Sequence, residues 1–289
     1  MFADYRRSLK FPDAEEFLDI LLYRPAAYLF VRAVRNTPVT PNQITLASLC
    51  AGLIAAYNLS LGVPAAFIGA AVWYAAANVL DCADGQLARL NGSGTPLGRI
   101  IDGLADYLSS IAIFLGIGFG YAHGRPGSWL LVVAAGVSSA LHAAVFDHRQ
   151  SEFIALMRNE PDARANEAGR FRNEIAALQA GGGSRARILI LRVYLGYLGL
   201  QAAGAPARPA LPQRSTATAG RKTLIRLYSF LGPTTNRTLL ILCALCNALP
   251  VYLWSVIVPL NVWLIILLVF RERILGKEPL SPVPAEELR

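Results

Sequence analysis

At 289 residues the chain has length enough for one or two domains, but it is 54% hydrophobic and only 16% charged, far too apolar for an ordinary soluble domain. Several uncharged stretches of sixteen or more residues point to one bundle of transmembrane helices, all-α because backbone polar groups in lipid must pair internally. The net charge of +8 is read as membrane topology and anionic-lipid contact, not nucleic-acid binding.

Residues 1–42 are predicted to form a cytoplasmic, interfacial amphipathic segment. Ala14 to Tyr23 sets Phe17, Leu18, Ile20, Leu21 and Leu22 beside Glu15, Glu16 and Asp19, a pattern suited to a helix lying in the membrane plane until Pro25 interrupts it. No h-region of a cleavable signal precedes it, so the first span is expected to double as the targeting signal. Thr40-Pro41-Asn42 supplies a cap and an N1 proline, and Ile44 to Leu61 is the first span. Val63 to Leu80, Leu97 to Tyr121 and Trp129 to Phe146 are spans two to four, closing a 43–146 unit. His123-Gly-Arg-Pro-Gly127 forms the turn before span four.

From 147 to 237 the composition changes to a cytoplasmic insert with fourteen Arg or Lys residues, a Gly181-Gly-Gly-Ser184 hinge and an Ala/Pro-rich stretch at 202–212. Thr238 to Phe270 is then uncharged for 33 residues. As a helix that is about 50 Å, too long for one crossing of a core roughly 30 Å thick. A break near Asn247 to Pro250 gives spans five and six within 238–272, followed by a cytoplasmic tail, 273–289. Six spans put 26 of the 27 basic residues on one side with both termini, Arg125 being the exception. Cys50, Cys82, Cys243 and Cys246 lie in or beside apolar runs without metal-site spacing and are read as packing residues.

Between Ile20 and Phe146 the only acids are Asp81, Asp84, Asp102 and Asp106, although 15 others are spread over the remaining chain. One aspartate at the membrane centre costs about 2.5–3.5 kcal/mol on the mild insertion scale, and like charges repel further, so a cation is required. Asp81 and Asp84 are i, i+3 at the end of span two; Asp102 and Asp106 are i, i+4 at the start of span three. Each pair shares a helix face, and the short connection makes the helices antiparallel neighbours. Four carboxylates without histidine or a cysteine pair make a hard, all-oxygen site for Mg²⁺ or Mn²⁺. The plainer alternative is helix-end acids paired with Arg89 and Arg99. Gly85 and Ala88 leave room for a ligand, or for close helix packing.

The pattern Asp81-x-x-Asp84-Gly85-x-x-Ala88-Arg89, eight residues, Gly98-x-x-x-Asp102-x-x-x-Asp106 resembles the motif of the CDP-alcohol phosphotransferase family at every fixed position. The resemblance extends to the six-span layout and not to the 147–237 insert. It implies an integral membrane enzyme of phospholipid biosynthesis, at a bacterial inner membrane with its site toward the cytoplasm, commonly a homodimer. It implies two divalent ions on Asp81, Asp84, Asp102 and Asp106, with Asp106 as ligand or as the base on the acceptor hydroxyl. Gly85, Ala88, Arg89 and Gly98 are the expected cytidine-nucleotide positions. CDP-diacylglycerol with a small polar alcohol acceptor is the first choice of substrates, releasing CMP; a soluble CDP-headgroup donor with diacylglycerol is the alternative. Asp147, His148, Arg149, Arg221 and Lys222 are read as an interfacial basic cluster, with contact to a phosphorylated acceptor as the second reading.

Two other classes compete. An aspartate-rich membrane prenyltransferase should carry its second motif far downstream, whereas here only 17 residues separate the two pairs. A cation transporter should distribute its acids over several spans and show internal repeats.

Overall fold

The computed structural model describes residues 2–9, 11–121, 126–158, 163–180, 184, 188–189, 191–192, 195–196 and 218–275. The expected hinge at 181–183, the 202–212 stretch, Arg125 and the tail beyond Leu275 lie outside them. Among the described residues the protein is helical, without a strand: α1 (Phe2–Ser8), a π-turn (Asp19–Tyr23) leading into α2 (Arg24–Val34), α3 (Pro41–Ser60), α4 (Pro64–Asn91), α5 (Pro96–Tyr121), α6 (Pro126–Arg158), α7 (Ala163–Ala180), α8 (Thr218–Tyr228), a 3₁₀ turn (Ser229–Leu231), α9 (Pro233–Leu245), α10 (Leu249–Ile257) and α11 (Pro259–Leu275).

Proline opens nearly all of the long helices. Pro41, Pro64, Pro96, Pro126, Pro233, Pro250 and Pro259 stand in the first turn, where the missing N–H has no intrahelical partner to lose. The predicted cap on α3 is a complete capping box: Thr40 Oγ1 accepts from the Gln43 N–H and Gln43 Oε1 from the Thr40 N–H. Gly92, at φ 64°, terminates α4, and Thr95 Oγ1 accepts the Gly98 N–H to start α5; despite the short connection, α4 and α5 do not pack along each other as expected, and each packs mainly on α3.

Five stretches are long and apolar enough to cross a membrane: Pro41–Ser60, Pro64–Asn91, Leu97–Tyr121, Gly127–Ala155 and Leu249–Arg271. The protein is thus an all-α polytopic membrane protein. Outward-facing Leu46, Tyr57, Val72, Ile111, Leu130, Val137, Ile265 and Val269 supply its apolar jacket. Inside, α3 packs along both α4 and α5. A Cβ on Gly116 would stand 2.2 Å from the Ala56 carbonyl oxygen, and one on Gly120 2.0 Å from that of Leu59, so α5 meets α3 backbone to backbone.

The expected break in the last apolar stretch is where the sequence put it, while the lengths of its products, the end of span four and the N-terminal helix differ from the sequence reading. The break in the last apolar stretch falls at Asn247, with φ 52°, just before Pro250. Its two products are unequal: α9 has 13 residues, about 20 Å of helix, shorter than a bilayer core of roughly 30 Å. Five described stretches therefore qualify as spans by themselves, against the six expected. Span four runs on as helix to Arg158, three turns into the expected insert. Pro25 does not interrupt the N-terminal helix. The π-turn before it widens the backbone where proline could neither donate to nor tolerate the carbonyl four residues back, and α2 continues to Val34.

That N-terminal segment, helical from Phe17, is amphipathic in the reverse sense. Glu15, Glu16 and Asp19 are buried, while Phe17, Leu21 and Leu22 are exposed. Its acids face protein and its apolar side faces outward. Within the insert, Phe171 and Ile175 of α7, with Leu191, pack on Ile100, two residues before Asp102.

Candidate active site

The motif aspartates come from the last turns of α4 and the first turns of α5. The cation that their convergence demands comes from a third helix. Arg237 of α9 donates from Nη1 to Asp81 Oδ2 at 3.0 Å and Asn78 Oδ1 at 3.0 Å, and from Nη2 to Asp106 Oδ1 at 2.6 Å. One planar guanidinium thus clamps α4 to α5. Asp84, on the same helix end, accepts the hydroxyl of Thr45 from α3. Asp102 is coupled electrostatically to Asp81, Asp84 and Asp106, and its Oδ1 is buried without a hydrogen-bond partner. The side chain of Asp106 is 42% exposed against 24% for Asp81, so Asp106 presents the more accessible carboxylate of the two clamped by Arg237.

The N-terminal segment fixes the helix that carries Arg237. Glu16 accepts the backbone N–H groups of Thr234 and Thr235, each at 3.0 Å, and so caps α9 with its carboxyl oxygens. Asp19 accepts the Thr234 hydroxyl at 3.0 Å, and Tyr23 Oη meets Thr238 Oγ1 at 2.9 Å. Gly232 leaves room for this cap, because a Cβ would lie 2.1 Å from the Glu16 carboxyl carbon and displace it. Burial, with Asp19 adding to it, pushes the Glu16 carboxyl up to about 8, although the α9 donors pull the other way.

The donor set suits a hard divalent cation: four carboxylates, no sulfur or imidazole, and one buried carboxylate oxygen unpaired. As placed, no three described His, Cys, Asp or Glu side chains already surround one ion position. Arg237 engages Asp81 and Asp106, and a cation binding to these two would compete with it.

The small motif residues have local partners. A Cβ on Gly85 would stand 3.2 Å from Arg89 Nη1, so the arginine folds back over the glycine one turn earlier. Gly98 lies against Thr95 and Asn42, and the Ala88 carbonyl accepts the N–H groups that end α4. Arg89 donates from Nε to the Ser8 carbonyl of α1 and is not among the residues that clamp the aspartates.

Arg237, Asn78, Thr45 and Glu16 are the residues that sequence reasoning missed. Arg237 carried one signal, a lone charge at the head of a 33-residue uncharged run. Counting it among the basic residues of the insert concealed that.

A second polar site lies where α6, α8 and α11 meet, lined by Arg149, Glu152, Phe153, Arg221, Tyr228 and Arg271 among others. Glu152 pairs with Arg149 at 2.9 Å and Arg271 at 3.4 Å, while Tyr228 Oη, Arg149 Nε and Arg271 Nε are buried without hydrogen-bond partners. The expected basic cluster is therefore partly a built pocket.

Residues 38–161, which include all four aspartates, match the family model described as CDP-alcohol phosphatidyltransferase. Among similar proteins, a phosphatidylinositol phosphate synthase of Mycobacteroides abscessus is 36% identical over 102 residues, 35% of this chain and 45% of that one. A phosphatidylinositol phosphate synthase of Corynebacterium glutamicum is 33% identical over 124 residues, 43% and 49% of the two chains. An archaetidylinositol phosphate synthase of Pyrococcus horikoshii is 35% identical over 89 residues, 31% and 46%. The chain spans less than half the length of these relatives. The motif, the helical membrane fold and these matches agree: the chain carries a CDP-alcohol phosphatidyltransferase domain at residues 38–161.

Proposed function

We propose that the protein transfers a phospho-alcohol group from a CDP-alcohol, CDP-diacylglycerol as first choice, to the hydroxyl of a phosphorylated polyol of the inositol phosphate type. The observation that carries the reading is the four-aspartate cluster, drawn together within the family domain and compensated by Arg237. Asp106, the more exposed of the clamped pair, takes the proton of the acceptor hydroxyl. The acceptor oxygen forms a bond to the phosphorus that bears the donor alcohol, the bond from that phosphorus to the bridging oxygen breaks, and CMP leaves with the electron pair. Divalent Mg²⁺ or Mn²⁺, two ions held by Asp81, Asp84, Asp102 and Asp106, would neutralise the diphosphate and the charge developing on CMP. Arg237, once it gives up its carboxylates, becomes a donor for phosphate oxygens. Gly85, Ala88 and Gly98 keep the α4 and α5 surfaces lean for the cytidine.

The phosphorylated acceptor is favoured by the names of the relatives and by the pocket in which Arg149 and Arg271 keep unpaired donors. The test is CMP release with inositol phosphate, glycerol phosphate, inositol and serine as rival acceptors, in wild type and Arg149→Ala. Selective loss of the phosphorylated acceptors in the variant supports the reading. Equal use of unphosphorylated inositol sinks it, and turnover only with diacylglycerol plus a soluble CDP-headgroup donor transfers the assignment to that alternative.

The reading includes a homodimer and a six-crossing topology in which α9 completes the fifth crossing, leaving both termini on the basic, cytoplasmic side. Crosslinking in native membranes and labelling of cysteines placed at either end report on each. Only monomer, or termini labelled from opposite sides, would contradict them.

A further inference from the structure

Apart from the aspartate cluster, three arginines, two from different helices and one just after a third, converge on one open cavity of about 400 Å³. It is lined by Asp4 and Arg7 of α1, Arg35 just after α2, and Arg89 and Leu90 at the end of α4. The lining sets three guanidinium groups against one carboxylate, and although Glu15 and Asp84 also act on Arg89, like charges gathered this way favour an anion among them. Arg89 is held in place: Nε donates to the Ser8 carbonyl, and the guanidinium lies over Gly85, at 3.2 Å from the position of a Cβ there. Its Nη2 is nevertheless buried without a hydrogen-bond partner, a donor of a charged group left unsatisfied. Arg7 and Arg35 are exposed and able to close on a ligand from the rim.

Leu90 and Arg89 end a helix long and apolar enough to cross a membrane, and α2, which ends beside Arg35, presents exposed Leu29, a setting suited to a lipid headgroup. Phosphate matches this donor set: the guanidinium fork binds two of its oxygens at once. We propose that Asp4, Arg7, Arg35 and Arg89 form a binding site for the phosphate of an anionic phospholipid headgroup, separate from the reaction centre and independent of the substrate assigned to it. Occupancy would tie α1 and α2 to the end of the helix that carries Asp81 and Asp84, so the composition of the surrounding leaflet would bear on the site.

The test is binding to purified full-length protein in neutral detergent, read by the shift in thermal unfolding. The probes are dioctanoyl phosphatidylglycerol, dioctanoyl phosphatidylcholine and inorganic phosphate, applied to wild type, Arg7→Ala/Arg35→Ala and Arg7→Lys/Arg35→Lys. The expected result is a stabilising shift by phosphatidylglycerol well above that by phosphatidylcholine. Affinity should fall about tenfold or more in the alanine pair, the usual worth of losing charge-assisted bonds, and less in the lysine pair, which keeps the charges and confirms that folding is intact. An equal effect of inorganic phosphate, lost in the same variants, supports the site with free phosphate as the ligand. Equal affinity in all three proteins, no shift with either phosphate probe, or displacement of the lipid by CMP would overturn the proposal.

Discussion

Replacing Arg237 by alanine removes the one cation shown to hydrogen-bond two motif aspartates, and its cost follows from the geometry. The guanidinium makes charge-assisted bonds at 3.0 Å to Asp81 and 2.6 Å to Asp106 and a further bond to Asn78 at 3.0 Å, with its own side chain 11% exposed. Breaking a fully buried pair costs about 3–5 kcal/mol. Asp81 and Asp106 retain 24% and 42% of their side-chain exposure, so solvent shields part of that and about 2–3 kcal/mol is expected. The assay is thermal or denaturant unfolding of the purified protein in detergent, with EDTA and with Mn²⁺. Arg237→Ala should be destabilised by that amount in EDTA, and Mn²⁺ should close most of the gap, because a divalent ion supplies the charge that the variant lacks. Arg237→Lys should fall between, having a point charge but no fork to span two carboxylates. Unchanged stability of Arg237→Ala in EDTA would refute the clamp, and a gap that Mn²⁺ leaves intact would refute the claim that metal and arginine share these carboxylates.

Asp106→Asn should leave a folded protein whose transfer rate is lower by about two to four orders of magnitude, the worth of a positioned base, as measured by single-turnover CMP release; near-normal turnover would remove it from that role. Gly120→Ala should destabilise by about 1–3 kcal/mol in a denaturant titration, since the methyl would stand 2.0 Å from the Leu59 carbonyl oxygen and overpacking is felt on that scale. A neutral result would mean that α3 and α5 are not in backbone contact. Glu16 titrates near 8 in the folded protein against an ordinary 4.5. The folded state therefore holds more protons in between, and Glu16's contribution to stability is fully present below about 4.5 and lost as pH rises through about 8. Glu16→Gln should flatten that decline in a pH series of unfolding curves, and an unchanged slope would locate it elsewhere.

The membrane class, the first four spans and the aspartate pairs were legible because each rests on local pattern. Uncharged runs of helical length, first-turn prolines and i, i+3 or i, i+4 spacing need no tertiary information. The cap at Thr40 was readable for the same reason, and its reciprocal partner Gln43 came from the structure. What escaped depends on long-range contact. Glu16 and Asp19 read as the wet face of an interfacial helix, yet they meet Thr234 and Thr235, more than 200 residues away in sequence. Those donors offset part of the cost of burying the acids, and the apolar residues turn outward. Arg237 was hidden likewise, since nothing within the chain near it predicts that α9 packs against α4. The contact of Arg89 with the Ser8 carbonyl is likewise long-range, and its motif position gave no sign of it. The Pro25 error was local: a π-turn leaves no residue signature that separates it from a break.

Acceptor-dependent CMP release from CDP-diacylglycerol tests the central claim most directly, measured with Mn²⁺ and with EDTA on wild type and Asp102→Ala, chosen because its Oδ1 is buried and unpaired. CMP is expected only when acceptor and Mn²⁺ are both present, and it should be lost in Asp102→Ala. Equal release in EDTA, or from the variant, would contradict a metal-dependent transfer centred on the four aspartates.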